Sequence, residues 1–287
     1  MHSYKAKINS LENNKEENNI YTNIQTAINE ASSGDTLELV DNASIFYNIS
    51  IPNDKKITIL TKGYSITTSK TITNNGELII NNDNAEKFST INCSLGVNLL
   101  NNNGNLTISD VNIKYTSSSD SSFPLLNNSI AILSNVTITS NYYGIKNNGD
   151  GVLNLSNTNI TAANTAIYNQ GELHIDGGII TGSSYSIYNE TNSNNDIKNA
   201  TINSNNNTIY TYKTSSTTDI NDTYNINDGT ITGNINNEAN LTIIGTEISQ
   251  TFNPINSLCS YTSMQINNSS NLTLTGVKLT VQATLAM

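Results

Sequence analysis

The 287-residue sequence predicts an all-β fold: a right-handed parallel β-helix of about three strands per coil, closed at its N-terminal end by an amphipathic α-helix. Three observations lead there. Asparagine fills 54 positions while Ile, Val, Leu, Thr and Tyr recur between the Asn clusters, a strand–turn–strand motif repeats, and one segment of helical period precedes the repeats. Disordered chains have few β-branched residues, so this mixture reads as folded.

The repeat is clearest in LTISDVNI, AILSNVTI, LNLSNTNI, LHIDGGII, LTIIGTEI and LTLTGVKL, which begin at Leu106, Ala131, Leu153, Leu173, Leu241 and Leu272. Apolar residues two apart share one face of a strand, and the Ser-Asp or Asp-Gly-Gly break redirects the chain into a second strand. NDIKNATI from Asn195 and YNINDGTI from Tyr224 fit the same frame. Upstream of these units lies a third element, an apolar residue followed two positions later by Asn or Thr. It occurs as Ile72 with Asn74, Leu99 with Asn101, Leu125 with Asn127, Ile145 with Asn147, Ile167 with Asn169, Ile187 with Asn189, Ile209 with Thr211, Ile235 with Asn237 and Ile266 with Asn268. Unequal spacing between units suits a solenoid whose turns accept insertions while its strands keep register. The frame is that of neither a leucine-rich repeat nor a propeller blade.

Coils stacked about 4.8 Å apart bring equivalent residues over one another, so these elements predict a rod about 45 Å long. Ile and Leu would fill its interior. Asn127, Asn147, Asn169, Asn189, Asn237 and Asn268 would form a side-chain amide ladder, each donating to one neighbour and accepting from the other.

Ile24, Ala27, Ile28 and Ala31 follow the spacing of one helix face, with Thr22 and Gln25 placed as a capping box and Gly34 as a stop. Residues 1–36 are therefore expected to cap the rod and 37–287 to form the β-helix. The final stretch, LTLTGVKLTVQATLAM, is strand-like without a polar cap. Because a bare solenoid end exposes apolar side chains and strand edges, the rod is expected to continue beyond residue 287 or to meet a partner chain there.

A net charge of −10 with no Arg and no Lys run argues against nucleic acid as a partner. No apolar run approaches the roughly 20 residues of a membrane span, so no membrane insertion is expected, and MHSYKAKIN lacks the apolar core of a signal peptide. Cys93 and Cys259 lie far apart, match no metal spacing and read as core thiols. No cofactor and no metal site is expected.

The runs YTNIQTAINEASSGDTLELV, IPNDKKITILTKGYSI, TITNNGELIINN and IYNQGELHIDGGIITGSSYSIYN resemble the pectin-lyase-like β-helix domains of large Gram-positive bacterial surface proteins, many of them adhesins. The resemblance covers nearly the whole chain. It implies a capping helix, recurring I-Y-N, G-x-L and G-G-x-I-T elements, and a secreted or cell-surface location within a longer exported protein. It specifies fold better than ligand, because the same architecture carries lyases, hydrolases, tailspikes and adhesins.

A uronate lyase needs acidic calcium ligands and a cationic base such as Arg; a glycosidase needs carboxylates converging within about 5–10 Å. Asp110 and Asp176 read as sharing a turn position, with Asn135 and Asn157 at that site in the coils between. His174, between inward Leu173 and Ile175, should point outward; His2 lies in the N-terminal tail; Asp219, Asp222 and Asp228 match no calcium-loop frame. Paired threonines suited to ordering ice, Thr137 with Thr139 and Thr230 with Thr232, are interrupted by Asn159, Ile179 and Asn203. The expectation is thus a non-enzymatic adhesin or stalk module without catalytic residues, the alternative being a polysaccharide lyase or glycosidase. Tyr168, Tyr188 and Tyr210 each follow the inward Ile in three consecutive coils and should stack outward, flanked by Tyr142, Tyr143, Tyr185 and Tyr212. This strip is the candidate site for a host or environmental glycan or protein, against plain cross-strand stacking as the alternative.

Overall fold

Short apolar–polar alternation broken by Asn, Asp or Gly buries every second side chain and turns the chain at each break. A computed structural model describes residues 6–9, 20–21, 23–190, 195–212, 223–237, 240–252, 266–268 and 272–283, and there this pattern winds a right-handed parallel β-helix. One coil contains the strands Val152–Ser156, Asn159–Ala162 and Thr165–Asn169; the next contains Glu172–Asp176, Ile179–Gly182 and Tyr185–Glu190. Each strand pairs in parallel with its equivalent, so the rod has a first, second and third sheet. Leu153 lies against Leu173, Ile160 against Ile180 and Ile167 against Ile187, and all six are buried.

The turn between first and second strands has a conformational requirement that explains its composition. Asp110, Asn135, Asn157, Asn199 and Asp228 stand there at φ between 45° and 57°, the left-handed region that short polar side chains tolerate best. Asp176 is not part of this column. It aligns with Ser109, Ser134 and Ser156 at the strand end, one residue before the turn position, so Asp110 and Asp176 do not share a site. The two Gly residues after Asp176 take the positive φ instead, so the Asp-Gly-Gly turn begins one residue after Asp176.

The N-terminal cap is tied to the first coils by three devices. The helix spans Ile24–Glu30 and buries Ile24, Ala27 and Ile28; its N-cap is Asn23, whose Oδ1 accepts from Thr26 N at 3.1 Å. Gln25 has a different role from the expected capping box. Its Oε1 accepts from Ser50 N at 2.7 Å and its Nε2 donates to Ser50 O at 3.1 Å, so the amide stands in for a missing strand neighbour. Lys55 Nζ donates to the carbonyls of Ile28, Asn29 and Ala31 at 2.7–2.8 Å, capping the helix C-terminus from the second coil. Ahead of the helix, strand Ala6–Asn9 pairs antiparallel with Ile20–Tyr21 and with Thr36–Leu39, covering the edge of the first sheet.

Lys55→Met should therefore loosen the cap by about 2 kcal/mol, the scale of hydrogen bonds to a charged group, while the central coils keep their stability. Native-state hydrogen exchange checks this: helix amides should exchange faster and those of residues 152–190 should not. Equal acceleration everywhere would contradict a local latch.

Candidate functional site

The third sheet carries two columns of interest, one inward and one outward. Inward, Asn74 Nδ2 donates to Asn102 Oδ1 at 2.8 Å, and the pattern continues Asn102 to Asn127, Asn127 to Asn147, Asn147 to Asn169 and Asn169 to Asn189 at 2.7–2.8 Å. All six are buried. The amide ladder exists, and it begins two coils earlier than the sequence suggested. Its member in the third coil is Asn102, not Asn101, because strand Leu100–Asn102 pairs Leu100 with Leu125 and Asn102 with Asn127. Leu99 and Leu100 are both buried, so the pattern alone left a one-residue ambiguity.

The ladder amides from Asn74 to Asn169 also donate to main-chain carbonyls of the following turn or of the strand that begins the next coil, as Asn147 does to Gly151 O at 3.1 Å and Glu172 O at 3.0 Å. The next position is Thr211, buried and, among the described residues, with no partner for Oγ1. Beyond it Asn237 and Asn268 pair through their backbones in register, while their side chains lie outside the described residues.

A second ladder runs beside the first on the solvent side. Asn103 Nδ2 donates to Asn75 Oδ1 at 2.9 Å, Asn128 Nδ2 to Asn103 Oδ1 at 2.8 Å, and Asn148 Nδ2 to Asn128 Oδ1. Inner amides donate toward the C-terminal end of the rod, outer ones toward the N-terminal end.

The outward column of the same sheet is Lys146, Tyr168, Tyr188, Tyr210, in strand register. The tyrosine rings stack: centroids are 5.0 Å apart for Tyr168 and Tyr188 and 5.2 Å for Tyr188 and Tyr210, with planes within 20°. Tyr185 meets Tyr188 and Tyr210 edge-on. Ring faces are thus turned to the coils above and below, leaving edges and hydroxyls outward. Lys146 Nζ lies 5.4 Å from the Tyr168 centroid and 5.9 Å from that of Phe123, which stacks on Tyr143 at 5.1 Å; Tyr142 packs edge-on against Tyr143. Phe123, Tyr143, Lys146, Tyr168, Tyr188 and Tyr210 form one band along the rod. Tyr212's side chain lies outside the described residues. Lys146 was legible in advance, since I-K-N at 145–147 is the I-Y-N element with one exchange; Phe123 comes from a loop and had no signal.

Tyr168 Oη donates to Glu190 Oε1, whose other oxygen accepts from Gln170 Nε2 at 2.5 Å. Burial, then the hydrogen bond to Glu190 and its charge, hold the Tyr168 phenol far above the usual tyrosine range. Tyr47, Tyr115 and Tyr143 are raised mainly by burial. A folded-state pKa above the unfolded value means stability that is complete below about pH 10 and lost as pH rises beyond it. Tyrosinate absorbance should accordingly show a late-titrating set that becomes ordinary when the chain unfolds, with Tyr168→Phe removing its most delayed member.

A groove of about 370 Å³ lies on the outer face of the first sheet, lined among others by Ile132, Asn154, His174, Asp176, Asp196 and Lys198. Strand register sets Asp196 beside His174 and Lys198 beside Asp176. Asp176 and Asp196 are diagonal neighbours, a separation of about 7–8 Å in a sheet. His174 points outward as expected, with Nε2 2.9 Å from Glu172 Oε1; Lys198 Nζ is 2.8 Å from Asp196 and is raised chiefly by that hydrogen bond. Glu172, His174 and Asp176 alternate on one strand face, which turns all three side chains to the same side of the first sheet. Among the described residues no group of three or more His, Cys, Asp or Glu side chains is placed to hold a metal ion. Asp219, Asp222, Cys259 and His2 lie outside the described residues; Cys93 is buried, which pushes its thiol up. No helix among the described residues is long and apolar enough to cross a membrane.

Fold and ladders define the class: a parallel β-solenoid whose coils are clamped by stacked asparagine amides. No protein-family model matches the chain, and no curated protein or solved structure does either.

Proposed function

We propose that this chain is a non-enzymatic rod module of a bacterial surface protein, of the pectin-lyase-like, adhesin-like kind, that binds a glycan or protein along its flank. The observation that supports this reading is the continuous band from Phe123 to Tyr210, which crosses several coils along the rod axis. Aromatic edges, phenol hydroxyls and one cation in a line suit an extended partner with alternating apolar and polar surface. On a glycan array and against candidate surface proteins the chain should bind without turnover. Tyr188→Ala should weaken that binding by about tenfold, or about 1.4 kcal/mol, while the thermal transition stays sharp. Undiminished binding by the variant removes the band as the site.

The alternative, a polysaccharide lyase or glycosidase, is favoured by one arrangement: Asp176, Asp196 and His174 meeting in a groove on the rod. Release of reducing ends or unsaturated products from a polysaccharide, abolished by Asp176→Asn, would replace the binding proposal with this one.

A further inference from the structure

The chain contains three Asn-Gly pairs: Asn75-Gly76, Asn103-Gly104 and Asn148-Gly149. Such pairs are chemically labile, because a backbone nitrogen next to a residue without Cβ can approach the preceding side-chain amide carbon. All three Asn side chains belong to the outer ladder, yet their glycines differ. Gly76 N donates to Asn74 Oδ1 at 3.2 Å and Gly104 N to Asn102 Oδ1 at 3.4 Å, so the inner ladder holds both nitrogens. Both glycines are also wedged between coils: a Cβ on Gly76 would lie 2.2 Å from Pro52 O, and one on Gly104 would lie 2.1 Å from Gly76 O.

The third pair stands in a longer turn. Strand registers equate Ile130, Val152 and Glu172, so the link from Asn147 to Val152 contains residues that the links from Asn127 to Ile130 and from Asn169 to Glu172 lack. The extra length carries Gly149 and Asp150 off the rod. Both are exposed, a Cβ on Gly149 would meet nothing within 4 Å, and among the described hydrogen bonds none engages Gly149 N. Asp150-Gly151 differs again, since Gly151 N is held by Asn148 O at 2.8 Å.

We propose that Asn148 is a site of spontaneous deamidation in the folded protein and that the β-helix protects the two sister sites. In the first step Gly149 N bonds to Asn148 Cγ, the Cγ–NH2 bond breaks, and ammonia leaves a cyclic imide. Water then opens the imide at either carbonyl, leaving an aspartate or isoaspartate and one added negative charge. Only Gly149 N can swing into attacking distance without breaking a ladder contact, which is the geometric requirement of the step. The product turns a donor into an acceptor facing Asn128 Oδ1, so the last bond of the outer ladder is lost. The new charge sits two residues from Lys146, the cation within the aromatic band.

The folded protein is incubated at mildly alkaline pH and 37 °C, with isoelectric focusing and peptide mass mapping at intervals. The expected result is a single acidic species, modified at residue 148 more than tenfold faster than at 75 or 103, the equivalent of about 1.4 kcal/mol in barrier. Gly149→Ala, for which the fold has room, should suppress it without changing the unfolding midpoint. In denaturing urea the three sites should react at similar rates. Equal rates at the three sites in the folded protein, an unaffected Gly149→Ala variant, or no modification at residue 148 would each overturn the proposal.

Discussion

Replacing Asn147 by Leu is expected to destabilise the rod by about 3–6 kcal/mol, a large share of the roughly 5–15 kcal/mol that holds a typical domain folded. Leu keeps the branched shape of the Asn side chain but puts bulkier methyl groups in place of the amide oxygen and nitrogen, so some overpacking accompanies the change. The main loss is in hydrogen bonding: Asn169 Oδ1, Gly151 O and Glu172 O lose a donor, and Asn127 Nδ2 loses an acceptor, all deep inside the rod. Asn127 Nδ2 keeps its bonds to Ser129 O and Val152 O, and Gly151 O keeps the one from Glu172 N, so the cost of about 1–3 kcal/mol for a buried unpaired group falls on Asn169 Oδ1 and Glu172 O, where water cannot substitute in a packed interior. The neighbouring Asn148→Ala, on the solvent side, should cost no more than about 1 kcal/mol because water replaces the amide. Thr211→Asn should act in the opposite sense, since it places an amide where a buried hydroxyl has no partner among the described residues. Urea midpoints of the three variants measure the contrast. If Asn147→Leu unfolds within about 1 kcal/mol of the parent, the ladder is ornament and the apolar columns alone carry the fold.

The second large effect is expected at Gly178, where coil-to-coil contact forbids a side chain. Its φ is +90°, and a Cβ would lie 2.1 Å from Thr158 O, a main-chain atom of the coil below that cannot swing away. Gly178→Ala should therefore lose about 2–5 kcal/mol, combining a positive-φ cost of about 1–2 with an overpacking cost of about 1–3. Gly34→Ala separates the two contributions, since Gly34 has φ +99° but nothing within 4 Å of the added carbon. It should lose only the conformational part. Similar losses for both variants would show that inter-coil distance is not what selects glycine at 178.

The two candidate surfaces were unevenly legible. Tyr168, Tyr188 and Tyr210 could be aligned from I-Y-N alone, because each follows an inward Ile at the same step of the coil. That their faces are consumed by stacking was not legible, since it follows from the spacing of coils rather than from the motif. The groove around His174 was missed for a related reason. Its members come from strand positions of different coils, Asp176 beside Lys198 and His174 beside Asp196, and only the observed pairing makes them neighbours.

Local chemistry written along the chain determined the solenoid, its three strands per coil, the outward tyrosines and the amide ladder from Asn127 to Asn189. Alternation of period two with Asn, Asp or Gly at left-handed turns permits little else. The tertiary structure decided whatever depends on contact between coils. It selected Asn102 over Asn101, because only one register lets an amide reach both the coil below and the coil above. It placed Gln25 on the edge of Ser50 and Lys55 under the helix, since an open strand edge and unpaired carbonyls need partners that sequence distance does not reveal. And it set Asn148 apart from Asn75 and Asn103, because identical dipeptides differ in chemistry only when neighbouring coils hold one backbone still and leave the other free.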